Sequence, residues 1–150
     1  MKRVGLWMIG IGICITVGLL TVKQGYAEQK EHATTCTLET LNGTYLFAAT
    51  GYNIPTSGDV ARLAIVESID FNGDGGLTSL ATVSFNGAIS KDIVDSGSYT
   101  VAVDCTGTVM FTASGVHLAI FVAPHGLEFY LIQTDEKTVL AGVAKKVSSQ

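Results

Sequence analysis

From about residue 36 the chain repeats one unit: five to ten residues rich in Val, Ile, Thr, Phe and Tyr, then a turn built on Gly, Asn or Asp. Nothing else in the sequence constrains the fold as strongly. β-Branched and aromatic side chains suit a pleated strand, while Gly, Asn and Asp supply the backbone conformations of tight reversals. The pattern predicts strands over about 43–51, 60–71, 76–85, 97–104, 108–114, 116–123, 127–134 and 138–147. Most links are short ("NGDGG", "CTG", "PHG", "DEK"), and two are longer: "NIPTSGD" over 53–59 and "NGAISKDIVDS" over 86–96. Pro55 and Pro124, the two prolines, both fall in links, where a missing backbone donor does no harm.

Short links join antiparallel neighbours, because a parallel crossover needs a dozen or more residues. No stretch of this region carries a helical stripe. The expected fold is therefore all-β, an eight-stranded antiparallel up-and-down barrel, since closure hides the two edges a ribbon of hairpins would leave bare. A β-sandwich is the alternative. Val116, Leu118, Ile120 and Val122 form one face of their strand, and His117, Ala119, Phe121 and Ala123 form the other. Leu127, Phe129 and Leu131 likewise oppose Glu128, Tyr130 and Ile132. Apolar groups on both faces leave room for a homo-oligomer that buries outer surface.

The N-terminus belongs to a different class. Lys2 and Arg3 precede an uncharged, mostly apolar run from Val4 to Leu20, followed by the small-x-small triplet Gly25-Tyr26-Ala27. This is the layout of a secretory signal peptide over residues 1–27, with cleavage expected between Ala27 and Glu28. Residues 28–35 read as a frayed polar segment, and 36–150 as the β-barrel domain. The expected destination is the periplasm or the medium. Without the leader the chain keeps six basic groups against 13 acidic ones, formally −7. Such a charge repels phosphate backbones, so nucleic acid is not an expected partner. No second apolar run is long enough to span a membrane.

Two of the three cysteines, Cys36 and Cys105, lie beyond the leader. An even pair in an exported chain reads as one disulfide, and neither thiol has a His or Cys at ligand spacing.

"IDFNGDGGLT" places Asp70, Asn72, Asp74 and Gly75 at positions one, three, five and six of a calcium loop. Position twelve is Ala81, with no side-chain oxygen, and the flanks are strand-like. Asn-Gly and Asp-Gly are also hairpin residues. The stretch therefore reads as a hairpin turn, with Asp70, Asn72 and Asp74 kept as metal candidates; no metal and no cofactor is expected.

Glu67 is in phase with Leu63, Ile65, Ile69 and Phe71. An inward-facing phase would desolvate its carboxyl and raise its pKa, making it an acid or base candidate. His117 is a second candidate, and Tyr45 and Tyr99 are candidate hydrogen-bond donors. No nucleophile elbow and no phosphate loop is present.

At "LNGTYLF" (41–47), "IDFNGDGGL" (69–77) and "GSYTVAVDCTGTVMF" (97–111) the chain resembles a set of small exported bacterial proteins of unassigned function. "DCTGT" is the most specific of these pieces. That set is similar in strand pattern to allene oxide cyclase-like and lipocalin-like barrels, which implies the same architecture and carries over no catalytic residue. The expected role is binding a small apolar ligand or a partner, without catalysis. Two alternatives are a cyclase or isomerase acting on a lipid-like substrate, and a structural or surface-interaction protein.

Overall fold

A computed structural model describes residues 35–148. The leader, its cleavage point at Ala27 and Glu28, and most of the 28–35 segment lie outside the described residues. The rest is a closed barrel of eight antiparallel strands in sequence order. They are β1 (Asn42–Asn53), β2 (Ala61–Asn72), β3 (Gly76–Phe85), β4 (Ala88–Val101), β5 (Thr106–Phe111), β6 (His117–Val122), β7 (Glu128–Gln133) and β8 (Thr138–Ser148). β1 pairs with β8 to close the ring, from Thr44 opposite Ser148 to Asn53 opposite Thr138.

One link is corrected. Residues 86–96 do not form a long connection: β4 begins at Ala88, nine residues earlier than the sequence pattern placed it. Asn86 (φ 50°) and Gly87 (φ 91°) make a two-residue turn with Phe85 opposite Ala88. Both central residues have positive φ, as the tightest hairpins require. The strand was hidden because its register shifts between Ala81 and Val83, where β4 carries an extra residue beside Asp92 (φ 55°). That bulge interrupts the alternation of period two on which strand reading depends. β5 also ends earlier than expected, since residues 112–114 are turn.

Alternation settles the inward face. Tyr45, Phe47, Glu67, Ile69, Phe71, Tyr99, Val109, Phe111, Leu118, Ile120, Phe129 and Leu131 are all buried. Leu127, expected to share a face with Phe129, is instead 64 % exposed, because it sits in the αR conformation just before β7 begins.

The two ends of the barrel differ. One is plugged by the 3-10 turns Leu38–Thr40 and Pro124–Gly126. The Tyr99 hydroxyl donates to the carbonyls of Leu38 (3.0 Å) and Leu41 (2.8 Å), and the Tyr45 hydroxyl donates to the Gly126 carbonyl. At Gly126 (φ 64°) a Cβ would stand 2.0 Å from the Thr40 carbonyl oxygen, so only glycine lets the two turns meet. Beneath them Phe71 makes edge-to-face contacts with Tyr45, Tyr99 and Phe129 at ring-centroid distances of 5.4, 4.9 and 5.7 Å. The disulfide Cys36–Cys105 ties the N-terminal segment to this plug.

"DCTGT" is structural at this end. Asp104 Oδ1 accepts from the Thr106 N–H (3.1 Å) and hydroxyl (2.7 Å), and these bonds hold its carboxyl below the usual range. Cys105 takes a left-handed φ of 66°, and a Cβ on Gly107 would meet the Thr100 carbonyl oxygen at 2.1 Å.

Candidate functional site

The opposite end is built unevenly. β1 to β4 run 10 to 14 residues, whereas β5, β6 and β7 have six each. The β5–β6 turn lies level with Ser96, whose carbonyl accepts the Thr112 N–H at 2.7 Å. Residues 88–94 of β4 therefore extend past the end of β5 and pair with β3 alone. The inner face of this taller wall is apolar. Leu63 and Ile65 on β2 register with Phe85 and Val83 on β3, and Ile93 on β4 registers with Ala81. Phe85 is 46 % exposed and Ile93 38 %, so the wall stands open to solvent on its inner side.

At the foot of that wall three polar residues meet. Glu67 and Ser79 are 5 % and 6 % exposed, and Asp95 is 9 % exposed. They occupy three adjacent strands: Ser79 is directly opposite Asp95, and Glu67 lies diagonally from Ser79 on the same inward face. Burial pushes the Glu67 carboxyl above its ordinary range; the Ser79 hydroxyl beside it offsets part of the rise, and the Asp95 charge adds to it. The Ser79 hydroxyl is near enough to act on that carboxyl, yet its buried Oγ makes no full hydrogen bond to any described residue. A buried hydroxyl without a partner costs free energy on the order of 1–3 kcal/mol.

Asp95 behaves in the opposite way. Burial works to raise its pKa, but the N–H groups of Ala113 (2.9 Å), Ser114 (2.9 Å) and Ser96 (2.7 Å) outweigh it and hold the carboxyl below its usual range. It stays ionised and fixes the β5–β6 turn to β4. The two carboxyls thus have opposite effects on stability as pH changes. A raised folded pKa means that the native state binds the Glu67 proton more tightly than the unfolded chain. Stability from this group is full below its ordinary 4.5 and falls as pH rises through the folded value. For Asp95 the contribution is present above 3.8 and is lost as pH falls through the folded value. Glu67→Gln is expected to raise the melting temperature at pH 7, with a gain that shrinks to nothing below pH 4.5; a gain independent of pH would contradict the assignment.

The remaining sequence candidates fall elsewhere. Tyr45 and Tyr99 are buried, but both hydroxyls are engaged by carbonyls of the plug. Burial, and then Tyr99, push the Tyr45 hydroxyl up to about 12, which keeps it a donor. His117 points outward, its Nδ1 2.8 Å from Asp135 Oδ1, in a surface depression of about 380 Å³ on β4, β5 and β6. Glu67, His117 and the two tyrosines are therefore not gathered into one site. Asp70, Asn72 and Asp74 lie at the β2–β3 hairpin. The Asn72 side-chain oxygen accepts the N–H groups of Asp74 (2.8 Å) and Gly76 (2.9 Å), and Asp70 accepts from the Thr44 hydroxyl. Among the described residues no group of three or more His, Cys, Asp or Glu side chains is placed to hold a metal.

Sequence reading named Glu67 but missed Ser79 and Asp95. Asp95 was hidden in the supposed 86–96 link. The "LTSLA" alternation (77–81) carried the signal for Ser79, a lone hydroxyl in phase with Leu77 and Ala81. A surface groove of about 560 Å³ lies outside the barrel wall between Tyr52, Arg62, Ser84 and Val139, away from this cluster.

No protein-family model matches the chain, and no curated protein matches it in sequence. A solved structure that it resembles is the S-type phycobiliprotein lyase CPES from Guillardia theta, at 10 % identity and a TM-score of 0.39. The likeness covers 79 % of this chain and 97 % of that one. The barrel stands on its own strand order and closure.

Proposed function

We propose that this is an exported binding protein that takes a small apolar molecule at the open end of its barrel, with a hydrogen-bonding group directed at Glu67 and Ser79. One observation carries the reading: a buried carboxyl and an unpartnered buried hydroxyl stand at the foot of an apolar wall that faces solvent. A few convergent polar groups beneath apolar surface are the usual make-up of a small-molecule site. The plugged end, where four aromatic rings pack together, supplies rigidity. In this reading the chain stays with the small exported proteins that its 41–47 and 97–111 motifs resemble, its leader is removed after Ala27, and no residue role is borrowed from them.

Isothermal titration calorimetry with decanol, decylamine and decanoate on the exported protein tests it. Decanol and decylamine are expected to bind. Decanoate is expected to bind at least about 10-fold more weakly, because its carboxylate would meet Glu67 and Asp95 in a poorly solvated site. Silence from all three probes, or equal binding by a Glu67→Leu variant, would end the proposal.

A further inference from the structure

Among the described residues the buried polar or charged side chains are Glu67, Ser79 and Asp95, the same three that meet at the foot of the apolar wall. Two of them are carboxyls, and no Lys, Arg or His is buried with them. The neighbours in register with Glu67 are apolar, Phe47 on β1 and Ala81 on β3, as are Ile65 and Ile69 along β2. Arg62, Lys91, His117, His125, Lys137 and Lys145 are exposed. Lys146 belongs to the plugged end, its Nζ 5.9 Å from the centre of the Tyr45 ring. The charged groups that bear on Glu67 from inside the barrel therefore reduce to Asp95.

The three groups differ in what they can still accept. Asp95 Oδ1 takes the N–H groups of Ser96 and Ala113, and Oδ2 takes that of Ser114, so this carboxylate acts as a fixed negative charge. The Ser79 Oγ, 94 % buried with its residue, makes no full hydrogen bond and has lone pairs to offer. The Glu67 carboxyl stands beside it. One position in the core thus lacks positive charge and N–H donors together. An alkylammonium supplies both, since its charge answers the carboxyls and its N–H groups can reach Glu67 and Ser79. The wall above has a matching reach. From Ser79 to Phe85 the strand rises about 20 Å, which a barrel tilt of about 40° turns into a depth of about 15 Å, enough for a medium-length alkyl chain.

Resting on the binding reading above, we infer that the molecule taken at the open end is a protonated primary amine on an alkyl chain, its N–H groups directed at Glu67 and Ser79 with the Asp95 charge beside it. The ammonium brings its own proton, so ionised Glu67 is the form that pairs with it. Where Glu67 is protonated in the free protein, that proton leaves to solvent on binding. Burial, and after it the Asp95 charge, push the Glu67 carboxyl up in the free protein, and a bound cation opposes both. Proton and amine therefore compete for one carboxylate. Because the folded pKa lies above the ordinary 4.5, amine affinity is expected to fall by at least about 4-fold from pH 7 to pH 4. An alcohol does not need the carboxylate charge and should show no such fall.

Calorimetric titration of the full chain, expressed in an exporting host, with decylamine, decanol and decyltrimethylammonium tests the inference. At pH 7 decylamine is expected to bind at least about 10-fold more tightly than decanol. It should exceed decyltrimethylammonium, which has the charge but no N–H to donate, by a similar factor. General attraction to an acidic surface would treat the two cations alike. Glu67→Gln should bring decylamine and decanol within about 3-fold of each other, since the pairing charge is gone. Ser79→Ala should narrow the gap between decylamine and the quaternary ion. Circular dichroism checks the fold of each variant, and either is decisive if the other misfolds. Decanol binding with decylamine equal or weaker would overturn the amine assignment and leave the binding reading standing. A preference for decylamine that survives either folded variant, or that does not weaken from pH 7 to pH 4, would overturn it as well. Silence from all three probes would remove both.

Discussion

Phe71→Ala is expected to destabilise the barrel by about 3–5 kcal/mol, the range for removing a fully buried aromatic ring. Phe71 is 0 % exposed and sits at the meeting point of the aromatic cluster, with Tyr45, Tyr99 and Phe129 all against it. The loss has two parts. Transfer of the ring out of water is forfeited, and the cavity left behind is walled by three rings that cannot all move in. Tyr45 and Tyr99 are held in place by hydrogen bonds to Gly126, Leu38 and Leu41, so the site can collapse only by breaking them. Urea unfolding followed by circular dichroism measures the effect. A cost below about 2 kcal/mol would mean that the plug relaxes easily, contrary to its hydrogen bonding. Phe71→Leu, which keeps most of the volume, should lose less than half as much.

Replacing both Cys36 and Cys105 with serine is expected to cost about 4 kcal/mol in the chain-entropy model, because the crosslink joins residues 69 apart in sequence. For a domain of this length that corresponds to a melting temperature lower by roughly 10–20 °C. The bond also holds the segment whose carbonyls receive the Tyr99 hydroxyl, so the loss is expected to be concentrated at the plugged end. Differential scanning calorimetry of the oxidised protein, the reduced protein and the double variant separates the contributions. Identical transitions for oxidised and reduced protein would show that the plug holds without sulfur.

Much of the fold was legible because its grammar is local. Strand runs, Asn-Gly and Asp-Gly turns and short links are each read within a few residues, and antiparallel neighbours follow from link length alone. The Cys36–Cys105 pair was legible by count. What sequence could not show depends on irregularity or on distance. The extra residue in β4 near Asp92 broke the alternation, so a strand looked like a loop and Asp95 went unnoticed within it. Leu127 looked like a core residue because alternation was extended one position beyond the strand that justified it. Tyr45 and Tyr99 looked like free donors because their partners, Gly126, Leu38 and Leu41, are up to 81 residues away in sequence. The phase of Glu67 was readable, but not that Ser79 and Asp95 would lie beside it, since that needs the register of three strands at once.

The ring closes by joining its first strand to its last, residues 42–53 to 138–148. A chain emerging from its N-terminus therefore carries two bare margins until the final segment arrives. The hairpins can form in turn, but the seam waits for the most distant pairing, the kind that sets slow folding in β proteins. Exposed margins during that wait invite pairing with other chains. The last eleven residues of the ladder thus decide when the molecule stops being able to join strangers.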